Sequence, residues 1–207
     1  MIPKALVGQS ALLPFLALIA ATGCWGSSFI TVARTLESTD PFTLVFLRFG
    51  VGALLVALWL RGRIFRNPLE TWKMGAVCAV VIYASYLFNH IGLMTILSST
   101  SGFLTALYVP ITPFLFWAIA GRRPELCAFA GAAVAFSGLV LLADPFNLEF
   151  SSSWGEWTTI FSAFLSALEI ILMGRFAPRC KAPEINFVQI ALVALFALSG
   201  TAVSHVC

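Results

Sequence analysis

The amino-acid sequence predicts an all-α, polytopic membrane protein with about seven transmembrane helices. Hydrophobic residues make up 60% of the 207-residue chain and charged residues only 10%, and the mean hydropathy is +0.96. Soluble proteins contain roughly 45–50% apolar and about 25% charged residues. Because a soluble surface needs more polar groups than this chain contains, the composition excludes a soluble enzyme, a disordered chain and a nucleic-acid-binding protein.

The apolar runs between charged residues have the length of a membrane-crossing helix. A hydrocarbon core of about 30 Å requires roughly 20 residues at a rise of 1.5 Å each. Short turns rich in proline and serine separate the runs, as expected for loops. The predicted spans are Ala11–Ala33, Phe42–Leu60, Met74–Leu97, Gly102–Ala120, Leu126–Ala143, Trp157–Gly174 and Ile185–Val203.

The distribution of lysine and arginine predicts the orientation. With a cytoplasmic N-terminus, 10 of the 12 basic residues lie in cytoplasmic segments, Arg34 lies outside and Arg48 lies within the second span. Such an asymmetry over short loops predicts a multi-pass protein of a bacterial-type inner membrane. A lipoprotein-type cleavage site before Cys24 is the alternative for the N-terminus, but the apolar run continues to Ala33, which favours an uncleaved span.

Small residues inside the spans are assigned to packing. Three of the five cysteines lie in apolar runs, and no pair has the spacing of a redox motif or a metal site, so we interpret them as small hydrophobic residues. Gly131 and Gly138 in the fifth span predict close helix packing there.

An internal repeat relates the beginning of the chain to its end. A shift of 141 residues places Arg34 on Arg175, Ile30 on Ile171, Phe46 on Phe187 and Leu54 on Leu195. Five spans separate the two copies, so the second copy is inverted in the membrane, an arrangement typical of secondary transporters. We expect residues 1–145 to form a first repeat of five spans and residues 146–207 to form part of a second repeat with two spans.

Motifs along nearly the whole chain resemble the drug/metabolite transporter superfamily, EamA-type. They are Trp25–Phe29, Pro41–Leu44, Leu47–Phe49, Leu87–Asn89, Ser98–Thr105, Tyr108–Pro110, Pro113, Gly131, Gly138 and Ser162–Leu168. The resemblance implies ten spans in two five-helix repeats, of which this chain contains the first repeat and two helices of the second.

Three ionisable residues are predicted at membrane depth, where each costs about 2.5–3.5 kcal/mol and is therefore a functional candidate. Glu169 lies twelve residues past Trp157, roughly 18 Å into the core, and is a candidate for binding protons or cationic substrates, or else a structural carboxyl in a polar cavity. Arg48 either extends to the headgroups or faces a cavity, where it would attract an anionic group. His90 lies in the third span.

Polar aromatic and amide side chains form a face on the third span and another on the fourth. Tyr83, Tyr86 and His90, with Asn89 beside them, follow helical spacing. On the fourth span, Thr105, Tyr108 and Thr112 do the same, and two prolines release backbone carbonyls. We expect these faces to meet across a central cavity that Trp25 and Ser28 of the first span close. Packing is the alternative explanation of the aromatic residues.

The sequence therefore predicts a secondary transporter of a small organic metabolite, such as an amino acid or a drug-like amine, working by alternating access in a lipid bilayer. Proton coupling and a homodimer are open options. No nucleic acid, cofactor or metal is expected, and no catalytic motif was found, so we expect no enzyme activity. The alternative, suggested by three missing helices, is a truncated, transport-incompetent remnant or a subunit that needs a partner.

Overall fold

The described residues of the chain are almost entirely helical. The computed structural model describes residues 12–61, 68–143 and 153–204, and this part of the chain contains no strand. The helices are α1 (Leu12–Leu36), α2 (Pro41–Leu60), α3 (Leu69–Leu93), α4 (Ser98–Ala106), α5 (Tyr108–Ala120), α6 (Leu126–Ala143), α7 (Trp154–Phe176) and α8 (Ala182–Ser204), with a short 3-10 helix (Ala177–Arg179) between α7 and α8. The prediction of an all-α polytopic membrane protein is confirmed.

Within the described residues, six helical segments are long and apolar enough to cross a membrane. They are α1, α2, α3, α7, α8 and the pair α4 and α5 taken together. The fifth predicted span is a helix, α6, but its apolar segment, Leu126–Leu141, is shorter than the other six. Helices α3 and α7 begin earlier than predicted, at Leu69 and Trp154, because their first turns contain polar residues that a hydropathy boundary excludes.

Side-chain caps fix the first turns of α2 and α7. The Asp40 carboxylate accepts hydrogen bonds from the Thr43 backbone N–H at 2.9 Å and from the Thr43 hydroxyl, and Pro41 occupies the first turn, where no N–H is needed. Ser153 and Glu156 form a reciprocal capping box at the start of α7. These bonds satisfy some of the backbone N–H groups that every α-helix leaves unpaired in its first turn.

The fourth predicted span is interrupted at Leu107. Its N–H bonds to the carbonyl of Leu104 at 3.2 Å rather than continuing the α-helical pattern, and α5 restarts at Tyr108. Pro110 is thereby placed in the first turn of α5, where its missing N–H costs no helical hydrogen bond. The break divides the span into two short helices, α4 and α5.

Helices α2 and α8 pack antiparallel at the core of the bundle. Val45, Ala79, Val193 and Ala197 form a buried cluster shared by α2, α3 and α8. The register is defined at two points: Phe42 contacts Gly200, and a Cβ added to Gly52 would lie 4.0 Å from Ile190. Ten residues forward along α2 thus correspond to ten residues backward along α8.

This register has the symmetry that an inverted repeat requires. It places Gly50 level with Leu192 and Val51 level with Ala191. The 141-residue shift maps Gly50 onto Ala191 and Val51 onto Leu192, so exchanging the two copies leaves this pairing unchanged, as it would for any antiparallel register of α2 and α8. The division of the chain near residue 145 stays a prediction, since residues 144–152 lie outside the described residues.

Helices α3 and α7 approach each other closely at Gly92 and Gly155. A Cβ added to Gly92 would meet the hydroxyl of Thr159 and lie 2.7 Å from the carbonyl oxygen of Gly155. By contrast, a Cβ added to Gly131 or Gly138 would meet nothing within 4 Å. The predicted close packing at those two glycines is therefore wrong, because α6 packs mainly on α5 and leaves its glycines facing open space.

Candidate functional site

A cavity with several polar side chains in its wall lies within the bundle, between α1, α2, α3, α4, α5 and α7. Its volume is about 180 Å³. Nine of the ten residues singled out from the sequence line it: Trp25, Ser28, Arg48, Tyr86, Asn89, His90, Thr105, Tyr108 and Glu169. The structure thus brings these residues together around one space, while their part in binding stays a prediction.

Tyr83 is the exception, because it lies in the packed core next to α8. Its hydroxyl donates to the Phe196 carbonyl at 3.5 Å, and the centres of the two rings are 5.9 Å apart. Tyr83 is not among the residues that line the cavity. The expectation that it shares a cavity face with Tyr86 and His90 is wrong, because α8 covers the side of α3 that carries Tyr83.

The polar faces of the third and fourth spans meet at the cavity. The Asn89 side-chain amide donates to the Thr105 hydroxyl at 2.8 Å, joining α3 to α4. Trp25 of α1 approaches Tyr108 with a ring-centre distance of 6.2 Å, which brings the first span against α5. Thr112 lines a second cavity instead, and its hydroxyl donates to the Tyr108 carbonyl at 2.6 Å.

Arg48 faces the cavity. Its guanidinium carbon lies 5.2 Å from the centre of the Tyr86 ring, within the range of a cation–π interaction. Tyr86 is held in turn by edge-on contact with Phe49 at 4.9 Å. The headgroup-directed orientation considered from the sequence is therefore not the one observed. The described residues contain no ion pair between Arg48 and Glu169.

His90 lines the cavity and carries a buried polar atom without a partner. Its side chain is only 1% exposed, and Nδ1 has no hydrogen-bond partner in the structure. The ring stacks edge-on against Tyr86 at 5.9 Å, and the backbone of Pro41 forms a hydrogen bond with the imidazole. Buried polar atoms are almost always paired, so Nδ1 is an exception, and it is enclosed by protein and not open to the cavity in this conformation.

Glu169 lies on the α7 wall of the cavity. The side-chain amide of Gln189 on α8 donates to its Oε1 at 2.7 Å. The 141-residue shift relates Glu169 to Ser28 and Gln189 to Arg48, so both repeat copies contribute polar groups here. The Ser28 hydroxyl bonds within its own helix, to the Trp25 carbonyl at 2.6 Å.

Three serines that were not singled out from the sequence also line the cavity. The Ser85 hydroxyl donates to the Ser162 carbonyl at 2.9 Å and lies 2.8 Å from the Ser166 hydroxyl. The Ser162 hydroxyl is buried without a partner. Ser162, Ser166 and Glu169 follow i, i+4, i+7 spacing, so the sequence pattern already places these three polar side chains on one face of a helix.

The fold and the cavity together define a polytopic helical membrane protein with an internal polar site, which is the arrangement of membrane transport proteins. Residues 12–143 match the EamA-like transporter family. This match covers more than half of the chain, and the chain belongs to that family.

Two proteins of Archaeoglobus fulgidus, each named an uncharacterized transporter, are similar to the chain. One is 27% identical over 187 residues, which are 89% of this chain and 55% of the relative. The other is 26% identical over 157 residues, which are 72% of this chain and 53% of the relative. The chain thus spans about half the length of these curated relatives. No solved structure matches the chain significantly.

Proposed function

We propose that the chain forms the binding half of a secondary transporter for a small organic metabolite that carries an amino group, such as an amino acid or a drug-like amine. The observation that carries the proposal is the central cavity, in which a carboxylate and a guanidinium group line one space without pairing with each other. Charges at membrane depth are costly unless they are paired or face a polar cavity. A ligand with complementary charges would lower that cost.

Glu169 is the proposed binding group for the amino end of the substrate. Gln189 occupies Oε1 of its carboxylate, and Ser166, three residues earlier on the same face of α7, lines the same cavity. An ammonium group can donate three hydrogen bonds, which suits a carboxylate flanked by hydroxyl groups. The same carboxylate could exchange a proton in the absence of substrate, because desolvation favours the neutral acid.

Arg48 is the proposed binding group for a substrate carboxylate. Its guanidinium group is oriented by the Tyr86 ring and has free donors, since no carboxylate of the described residues pairs with it. His90 lines the same cavity. An amino acid would engage both ends of the cavity, whereas an amine without a carboxylate would engage Glu169 alone.

The cavity volume restricts the substrate to small molecules. A volume of about 180 Å³ is below the range of about 300–1,000 Å³ that is typical of small-molecule sites. This space suits a small metabolite better than a nucleotide or an oligosaccharide.

Alternating access by two inverted repeats is the proposed mechanism. The antiparallel packing of α2 and α8 supports it, because these are the second helices of the two repeat copies and inverted copies run in opposite directions. The break between α4 and α5 borders the cavity and provides a hinge position. The arginine-rich loops support a cytoplasmic N-terminus in a bacterial-type inner membrane.

Uptake and binding by Glu169→Gln test the proposal. A charge-assisted hydrogen bond contributes about 1.5–3 kcal/mol, so the variant should bind amines and amino acids roughly 10- to 100-fold more weakly. Glu70→Gln is the matched control, because Glu70 lies in the first turn of α3 and not in the cavity. Affinity is measured on purified full chain with labelled amino acids and amines, and flux is measured in vesicles.

Arg48→Gln separates the two substrate classes. It should weaken amino-acid binding and leave amines without a carboxylate unchanged, with Arg34→Gln as the control outside the cavity. Equal affinity of the wild type and Glu169→Gln for every ligand, at normal protein level, would overturn the proposed site.

A second reading is that the chain binds the substrate but transports it only with a partner that supplies further helices. The observation that favours this reading is the half-length match to the relatives. Binding without flux in vesicles, with flux restored by a co-expressed partner protein, would support it. Flux by the chain alone would exclude it.

A further inference from the structure

A second cavity opens between α5, α6 and α7 at the end of the bundle that carries the arginine-rich loops. It is larger than the central cavity, with a volume of about 880 Å³, and apolar or small side chains form most of its wall. Ile170 lines both cavities, so one side chain of α7 lies between them. We refer to this second cavity as the α6 groove.

The α6 groove has the depth of one leaflet of a bilayer. Its lining on α5 runs from Ala120 back to Val109, which is about 16 Å at 1.5 Å per residue. Half of a hydrocarbon core of about 30 Å is about 15 Å. The groove therefore extends from the headgroup level to the middle of the membrane, which is the length that a phospholipid acyl chain occupies.

The floor of the groove is open because its residues on α6 and α7 are small. A Cβ added to Gly131 or to Gly174 would meet nothing within 4 Å, and Ala128 and Ala132 complete this side of the lining. An unfilled apolar crevice forfeits dispersion contacts, and the molecules that surround it in a membrane are acyl chains.

Two arginines stand at the mouth of the groove. Arg122 follows the end of α5, and Arg175 lies in the last turn of α7. Neither forms an ion pair within the described part of the chain. Arg123 is different: its guanidinium carbon lies 4.9 Å from the centre of the Trp117 ring, and it does not line the groove. Paired guanidinium groups suit a phosphate oxyanion, and basic pockets between transmembrane helices bind anionic lipid headgroups.

We propose that the α6 groove is a binding site for an anionic phospholipid. One acyl chain lies against Gly131 and Gly174, and the phosphate group lies between Arg122 and Arg175. This site is separate from the central cavity, and the proposal does not depend on the proposed transport function.

Native mass spectrometry of the purified full chain tests the headgroup part of the proposal. Phosphatidylglycerol and phosphatidylcholine with identical acyl chains are added to the protein in detergent. We expect phosphatidylglycerol to be retained preferentially, and Arg122→Gln or Arg175→Gln to weaken its binding roughly fivefold each. Arg123→Gln is the matched single-charge control and should bind as the wild type does. Equal retention of both lipids, or an equal loss in Arg123→Gln, would overturn the proposal.

A steric variant and a thiol probe test the position of the acyl chain. Gly131→Phe should fill the groove and abolish selective retention, whereas Gly138→Phe, on the same helix but outside the groove, should not. Cys127 lines the groove, so phosphatidylglycerol should slow its reaction with a maleimide. Cys24 is also exposed but lies on α1, and its reaction rate should not change.

Two further results would contradict the lipid assignment. Retention of phosphatidylglycerol by Gly131→Phe at the wild-type level would place the lipid elsewhere. Protection of Cys127 that increases with protein concentration and not with lipid would indicate that a second copy of the chain occupies the groove.

Discussion

The contact between α3 and α7 predicts that Gly92→Ala destabilises the bundle. A methyl group at this position would lie 2.7 Å from the Gly155 carbonyl oxygen and would also meet the Thr159 hydroxyl. A carbon–oxygen contact in a helix interface is about 3.3–3.6 Å, so α7 would have to move away by roughly 0.6–0.9 Å. The Ser85 bonds to Ser162 and Ser166 would lengthen with it.

The expected loss of stability follows from two opposing terms. Overpacking of this kind costs about 1–3 kcal/mol, while alanine in place of glycine favours a helix by up to about 1 kcal/mol. Gly138→Ala is the matched control, because a methyl group there would meet nothing within 4 Å and only the favourable term applies. We therefore expect Gly92→Ala to be less stable than Gly138→Ala by about 1–3 kcal/mol.

Thermal unfolding of both variants in the same detergent measures this difference. For a chain of this length, 1 kcal/mol corresponds to about 2–4 °C in Tm, so Gly92→Ala should melt roughly 2–12 °C below Gly138→Ala. Adding Thr159→Ala should recover only part of the loss, since the Gly155 carbonyl remains in the way. Equal melting temperatures for Gly92→Ala and Gly138→Ala would refute the close approach of α3 and α7.

Three further predictions follow from single contacts. Asp40→Ala removes the cap of α2 and should lower the free energy of unfolding by about 1 kcal/mol. Asp40→Asn should retain most of this stability, because asparagine can also cap a helix. Tyr83→Phe should leave ligand affinity in titration calorimetry unchanged, because this hydroxyl bonds to the Phe196 carbonyl outside the cavity; a tenfold loss would contradict that placement. Ser162→Ala should keep or raise the melting temperature, because the hydroxyl that it removes is buried without a partner; a clear loss of stability would contradict that burial.

Several features of the site could be predicted from the sequence because they are local. An ionisable residue within an apolar run is costly wherever its helix packs, so Arg48, His90 and Glu169 were identified without knowledge of the fold. Tyr86 and Asn89 are three residues apart, which places them next to each other on one face of a helix. The helices capped by Asp40 and Ser153 begin one and three residues before their predicted starts. The difference arises because a first turn is less apolar than the span that follows.

Other features required the tertiary structure, because they depend on which helix covers which face. Tyr83 and Tyr86 are three residues apart on α3, yet α8 covers one of them while the other lines the cavity. Ser162 and Ser166 were missed, because serine within a bundle serves packing as often as binding. Only the contact of Ser85 with both of them showed that they form one wall of the site.

The glycines also separate what the sequence determines from what only the tertiary structure decides. The sequence by itself determined that this chain crosses a membrane as a helical bundle, since composition and span length follow from the cost of burying polar groups in hydrocarbon. It also predicted which ionisable residues lie at membrane depth. Only the tertiary structure decided that Gly92 and Gly155 bring two helices together while Gly131 faces an open groove. A glycine has no side chain to indicate its neighbour, so its role depends on the packing of distant segments.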